Sequence, residues 1–163
     1  MQHDDLDAVL GVQAQCYPPE MNESREVLSQ RLLACPDTAW VALDAQGQVG
    51  GYLVAYRSVW GKVTPLSHPF ADAAQADVLY LHDLAIGQAL RGQRVAQRLI
   101  QVARALAVAQ GYRGLALVSV NDTVPFWQGH GLAIMPLDAA GQAALATYPG
   151  RAVYMTAQLD RPA

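Results

Sequence analysis

Residues 78–120 constrain the fold more than any other stretch of the chain. Val78-Leu-Tyr-Leu-His82-Asp-Leu-Ala-Ile86 is rich in aliphatic and aromatic side chains and reads as a strand. Gly92 marks a turn after it. Residues 94–110 then place Val95, Leu99, Val102, Ala103 and Leu106 on one helical face, while Arg94 and Arg98 share another, four residues apart. Gly111 ends this helix as a C′ glycine. Leu115-Ala-Leu-Val-Ser-Val120 is a second strand. A strand, an amphipathic helix and a further strand in this order require a sheet with a helix packed on it.

The flanking segments extend that layer. Residues 4–16 set Leu6, Val9, Leu10 and Gln13 at helical spacing, and Tyr17-Pro18-Pro19 stops the helix. A second helix starts at Asn22 or Ser24, with Glu23 and Glu26 near its positive end, and runs through Val27, Leu28, Arg31 and Leu32 to Cys35-Pro36-Asp37. Residues 40–43 and 49–57 flank the Asp44-Ala-Gln-Gly47 turn as a hairpin. Residues 59–77 contain Gly61, Pro65 and Pro69 and read as a long loop, of the kind that is usually functional or mobile. A short helix (124–130), a short strand (132–135), a helix (138–147) and a final strand (151–159) complete a mixed sheet in an α/β or α+β fold, expected as a single domain over residues 1–163.

Composition removes several classes of function. With 52% hydrophobic and 15% charged residues, the chain has the opposite balance to a disordered one. A net charge of −3 and a single lysine, Lys62, argue against a nucleic-acid partner, because such binding rests on neutralising phosphates. The charge is unevenly spread. Residues 1–87 carry four basic groups against eleven acids, a net −7, whereas residues 88–163 carry seven arginines against three aspartates, a net +4. That split fits two partners of opposite sign, or chance segregation in one domain. The N-terminus is acidic where a secretory signal is basic, and no apolar run approaches the ~20 residues of a membrane span, so no membrane partner and a cytoplasmic location are expected. Cys16 and Cys35 lack metal-ligand spacing; reduced structural thiols and no metal are expected.

The turn around Gly92 carries the first chemical signal. A helix that opens after a strand offers free N–H groups and a positive dipole end to an anion, and Arg91, Arg94 and Arg98 add charge. The spacing matches neither a Walker A loop nor a dinucleotide-binding fingerprint. An ordinary amphipathic helix with a solvated arginine face fits the same residues.

A longer ordered set of residues resembles the GNAT superfamily of N-acetyltransferases. His82-Asp-Leu-Ala-Ile86, then Arg91-Gly-Gln-Arg-Val-Ala96, is similar to the family's Gln/Arg-x-x-Gly-x-Gly/Ala motif. Asn121, Phe126-Trp127 and Gly131-Leu132 follow where the family has Asn, Phe-Tyr and Gly-Phe. The Tyr17-Pro-Pro-Glu20 turn and the hairpin also sit in family order, so the resemblance covers about residues 4–158. It implies a mostly antiparallel mixed sheet with helices on both faces and a splayed parallel strand pair, 78–86 and 115–120, forming the cofactor cleft. It implies acetyl-coenzyme A as acyl donor. The amides of Gly92, Gln93, Arg94, Val95 and Ala96 would hold its pyrophosphate, with Arg91 at the motif's first position. The backbone of Leu84, Ala85 and Ile86 would pair with the pantetheine arm, and Asn121 and Trp127 would contact the cofactor. The implied reaction is direct attack of a primary amine, on a small molecule or peptide, on the thioester.

Three departures from the family pattern stand out. Arg94 occupies the motif's central glycine position, and supplies its N–H only if its backbone keeps ordinary helical geometry. Trp127 replaces a tyrosine that serves many members as acid, and an indole N–H is no practical acid. The family's first strand is short or missing, which leaves an exposed edge where two copies could pair as a homodimer.

The catalytic residues expected are His82, Asp83 and Tyr154. An unperturbed histidine titrates at about pH 6.5, which makes His82 the first choice as base; a histidine bonded within the sheet is the alternative. Tyr80 and His82 alternate onto one strand face and Asp83 onto the other, unless a bulge reverses Asp83. Asp83 is the weaker base and a candidate to bind substrate. Tyr154 or Tyr148 is the candidate acid, with water as the alternative. Tyr17, Glu20, Glu23, Trp60 and Tyr80 are the expected acceptor site, where acidic groups would favour a cationic amine. Glu20 and Glu23 equally fit simple placement near a helix start. A GNAT-like module that binds acyl-coenzyme A with little turnover is the competing reading.

Overall fold

The computed structural model describes residues 1–70 and 73–159; residues 71 and 72 of the expected 59–77 loop, and residues 160–163, lie outside it. Among the described residues there are five α-helices: α1 (Leu6–Cys16), α2 (Arg25–Ala34), α3 (Val95–Ala109), α4 (Val124–Gly129) and α5 (Ala139–Leu145). Six strands form one sheet: β1 (Ala39–Leu43), β2 (Val49–Ser58), β3 (Val78–Ile86), β4 (Gly114–Ser119), β5 (Ala133–Ile134) and β6 (Val153–Gln158). The strand order is β1-β2-β3-β4-β6-β5. Every neighbouring pair is antiparallel except β3 and β4, which run parallel.

Strand alternation sorts side chains to two faces. Tyr52, Val54 and Tyr56 of β2 join Tyr80 of β3 under α1 and α2, with Leu6, Val9, Leu28 and Leu32. Leu53 and Ala55 turn the other way with Leu79, Leu81, Leu115 and Leu117, under α3. The apolar stripe of α3 buries Val95, Leu99, Ile100, Ala103 and Ala107 there. Each fully buried leucine or isoleucine contributes about 1.5–3 kcal/mol. β4 can pack so closely only because it starts on Gly114, where a Cβ would lie 2.4 Å from the Ala157 carbonyl oxygen.

Several boundaries differ from the sequence expectation for local reasons. α3 starts at Val95, because Arg94 is its left-handed cap (φ 57°, ψ 25°). Ser24 caps α2, its hydroxyl accepting the Val27 amide. Asp138 caps α5 instead of joining it, accepting the Gly141 amide at 2.7 Å. The expected strand at 132–135 shrinks to two residues, since the Leu132 amide closes a turn onto the Trp127 carbonyl.

One irregularity decides the chemistry of β3. Val54 of β2 pairs with Asp83, and its neighbour Ala55 pairs with Leu81. His82 is therefore the extra residue of a β-bulge, and the strand resumes alternation one residue out of step. Asp83 consequently faces the α1 side, where Tyr52 meets it, rather than the side of Leu81.

Candidate active site

A cleft opens where β3 and β4 part. Their pairing stops at Tyr80 and Ala116. Beyond that point β3 continues along β2 as far as Ile86, and β4 along β6 as far as Ser119. The gap is a cavity of about 540 Å³, bounded by residues 81–86 on one side and by Val118, Val120 and Asn121 on the other. Trp127 and Phe126 of α4 close part of it.

Toward the end of β3 the cleft meets the start of α3, with Arg91 and Ala96 in its wall. The first intrahelical bond runs from the Arg98 amide to the Arg94 carbonyl at 3.2 Å. The amides of Val95, Ala96 and Gln97 are thus without an acceptor in the helix, as an anion site requires. Arg94 does not meet the condition of ordinary helical geometry under which it would supply its N–H. The chain turns into α3 through two left-handed residues, Gly92 (φ 75°) and Arg94 (φ 57°). The glycine adopts this freely, whereas the arginine costs about 1–2 kcal/mol. Asn121 (φ 53°) and Asp122 (φ 54°) make a similar turn on the opposite lip.

The middle of the cleft is built from side chains. Asp83 is buried and receives two phenols. The Tyr17 hydroxyl lies 2.7 Å from its Oδ1, and the Tyr52 hydroxyl 2.6 Å from its Oδ2. Burial pushes the Asp83 carboxyl above the usual range, against the lowering effect of the two hydroxyls. Both phenols are held well above their ordinary pKa, by burial first and by Asp83 second. Tyr17 also lies 3.1 Å from the Leu84 carbonyl, and the Cys16 thiol 3.4 Å from that of Ile86.

Beside this lies a buried ion pair. The Glu23 and Arg31 side chains are 3% and 1% exposed and bonded through both carboxylate oxygens. His82 Nε2 sits 3.6 Å from Glu23 Oε2. Burial raises the Glu23 pKa, but His82 and Arg31 outweigh it and bring it down to about 2.

The described part of the long loop is fastened over this network. Thr64 and His68 carbonyls accept from Tyr148 and Arg31, while Leu66 and Ser67 amides donate to Thr147 and Glu23. Leu66 lines the cleft as a result.

The expected site residues Tyr17, Glu23, His82, Asp83, Leu84, Ala85, Ile86, Arg91, Ala96, Asn121 and Trp127 therefore come together in one cleft. Gly92, Gln93, Arg94 and Val95 form the turn and helix start beside it. Four expected residues are placed elsewhere. Glu20 is exposed on the turn Pro19–Met21, and its neighbour Met21 lines the cleft instead. Trp60 lies under the Arg113 guanidinium, 4.5 Å away. Tyr80 is buried against Tyr56. The Tyr154 hydroxyl accepts the Gly61 amide at 3.0 Å, away from the cleft, whereas Tyr148 is in its wall. Tyr80 turns into the core under α1 and α2 and Tyr154 toward the Gly61 amide, while Glu20 and Trp60 sit on a turn and a loop that present them away from the gap.

Sequence reasoning missed the parts played by Tyr52, Arg31 and Gln13. The last two did leave a signal. Each is a polar residue on the core-facing stripe of a helix, which requires a buried partner. Tyr52 left none, since a strand tyrosine is ordinarily a packing residue.

Comparison with known proteins now has a geometry to rest on. The model of the acetyltransferase (GNAT) family matches residues 6–133. The chain belongs to the GNAT acetyltransferase family. Among solved structures, the GNAT-like decarboxylase GphF in complex with isobutyryl-CoA is similar with a TM-score of 0.78 at 20% identity, covering 97% of this chain and 96% of that one. The loading GNATL domain of CurA from Lyngbya majuscula gives 0.76 at 14% identity, covering 97% and 94%. The ribosomal-protein-S18-alanine N-acetyltransferase from Escherichia coli gives 0.68 at 10% identity, covering 100% and 93%. At these identities the structural likeness speaks for the GNAT fold alone. A search of curated proteins finds no significant match. Membership makes this an acyltransferase-family chain with an acyl-coenzyme A fold. Among the described residues no helix is long and apolar enough to cross a membrane, and no cluster of His, Cys, Asp and Glu is arranged to hold a metal ion.

Proposed function

We propose that this chain transfers an acetyl group from acetyl-coenzyme A to a primary amine by direct attack within a ternary complex, as a cytoplasmic enzyme. The observation that carries the reading is the continuity of one cleft. It runs from Arg91 and the free amides of α3, past the unpaired edge of β3 at 84–86, to His82 and Asp83. A pyrophosphate suits the first region, an extended pantetheine arm the second, and an amine the third.

In the reaction the amine nitrogen bonds to the thioester carbon, the carbon–sulfur bond breaks, and the amine proton passes to His82. Asp83, which has no basic partner among its hydrogen bonds, draws the ammonium form of the substrate. Water protonates the departing thiolate, because Tyr154 is remote and Tyr148 already donates to the Thr64 carbonyl. The acceptor is a small-molecule or peptide amine.

A second reading is a GNAT-like module that binds acyl-coenzyme A with little turnover. The left-handed Arg94 at the motif's glycine position and the buried Trp127 at the position of the family's tyrosine favour it. Purified protein, acetyl-coenzyme A and a panel of amines separate the two. Amine-dependent release of free thiol is expected. Tight binding without thiol release from any amine would favour the binding module.

A further inference from the structure

We infer that Glu23 is the positioning residue of His82: it holds the Nε2–H edge of the ring and leaves the Nδ1 lone pair as the proton acceptor. The inference rests on the reading of His82 as base.

Glu23 cannot serve as the anion that attracts a substrate ammonium, because its charge is already matched. Arg31 Nη2 lies 2.6 Å from Oε1, Arg31 Nη1 binds Oε2, and the Ser67 amide reaches Oε1 at 3.2 Å. The two-point pairing with the Arg31 guanidinium favours the ionised carboxylate, which is acceptor-only. A ring nitrogen that faces such a carboxylate is stabilised when it carries the proton. In the neutral imidazole the other nitrogen is then a bare acceptor.

That other nitrogen is conspicuous. His82 lines the cleft with a side chain 4% exposed, and its Nδ1 is buried with no hydrogen-bond partner. The groups around the ring do not supply one. Tyr56 of β2 and Tyr80 of β3 lie 6.4 and 6.3 Å from it between ring centres, and Phe70 presents an edge at 5.1 Å. Asp83 is occupied by Tyr17 and Tyr52; the Nη atoms of Arg31 of α2 bind Glu23 and the His68 carbonyl, and neither its Nε nor the Tyr80 hydroxyl bonds to the ring. A buried acceptor without a donor is costly unless a ligand completes it.

The carboxylate is also rigidly mounted. Gln13 of α1 donates to the Glu23 carbonyl at 3.0 Å and accepts its amide at 3.2 Å. At 3.6 Å the Glu23–His82 contact is electrostatic rather than a hydrogen bond, and it strengthens when the ring becomes positive. The proton leaving the amine thus arrives on Nδ1, forms an imidazolium stabilised by Glu23, and leaves to solvent after the thiolate departs.

The ring tautomer is read directly by ¹⁵N-histidine NMR on the intact protein at alkaline pH, where the ring is neutral. The Nε2–H form is expected; the Nδ1–H form overturns the inference. In kinetics, Glu23→Gln is expected to lower kcat at least about tenfold and leave KM for acetyl-coenzyme A unchanged. It should also move the acid limb of the rate profile to lower pH, since an imidazolium would then lack the facing carboxylate that stabilises it. Glu23→Asp should recover part of the rate. If Glu23→Gln fails to fold, the Glu23→Gln/Arg31→Gln double variant carries the same test without a lone buried charge. A folded variant with unchanged kcat and acid limb overturns the inference; if His82→Ala is inactive beside it, the functional reading survives. If the wild type turns over no amine, the functional reading fails and the tautomer still decides the geometry.

Discussion

The two ends of the cleft are made of different material. Around α3 the site is mostly main chain: free amides at a helix start, two left-handed turns and an unpaired strand edge, with Arg91 as the charged side chain in the wall. Around His82 it is side chain on side chain, with buried Glu23, Arg31, Asp83 and Tyr52 and half-buried Tyr17 each bonded to another. Main-chain recognition tolerates sequence change, since any residue with the right backbone supplies an amide. A buried polar network does not, because removing one member strands its partner. The cofactor end should therefore yield gradually to mutation, and the acceptor end abruptly.

Arg31→Ala should show the largest effect. It leaves Glu23 buried without its cation, and a cost of about 3–5 kcal/mol is expected in urea unfolding. The same pair sets the acid limit of the wild type. The Glu23 pKa is depressed, so its stabilisation is full above the ordinary value of 4.5 and is lost as pH falls toward about 2. A loss of only a few tenths of a kcal/mol would place the network outside the stabilising core.

His82→Ala comes next. Turnover should fall about 10²-fold or more, most steeply at low pH, where the amine is hardest to deprotonate, with acetyl-coenzyme A affinity retained. Wild-type rates across the pH range would remove His82 as base.

At the cofactor end, Arg91→Ala should weaken coenzyme A binding by about 1.5–3 kcal/mol in calorimetry through lost charge-assisted contacts. Unchanged affinity would displace the pyrophosphate from α3. The smallest effect belongs to Arg94→Gly. It relieves a left-handed arginine at the expense of a more flexible unfolded chain, for a net gain of about 0.5–1 kcal/mol in thermal unfolding. A loss of stability would mean that the arginine side chain makes a contact worth more than the backbone cost.

The same contrast explains what could be read in advance. The strand over 78–86, the glycine turn, the helix and the strand after it follow from periodicity and punctuation within a few residues of each other. The proposed cofactor end is a property of that local run, which is why the nearness of Arg91, Ala96 and the 84–86 edge to one another was legible. Glu20 and Trp60 were misplaced because acidity and aromaticity say nothing of which way a turn or loop presents a side chain.

By itself the sequence determined the order of the elements, the apolar faces that pack them and the helix start that can hold an anion, since each depends on neighbours along the chain. Only the tertiary structure decided the acceptor end. Asp83 meets Tyr52 because a register slip between Val54 and Ala55 turns β3 over at His82. Glu23 meets His82 because α1, α2 and the loop at 64–68 converge on that bulge. These partners lie far apart in sequence, and no local propensity encodes a register between strands; packing of the two sheet faces does.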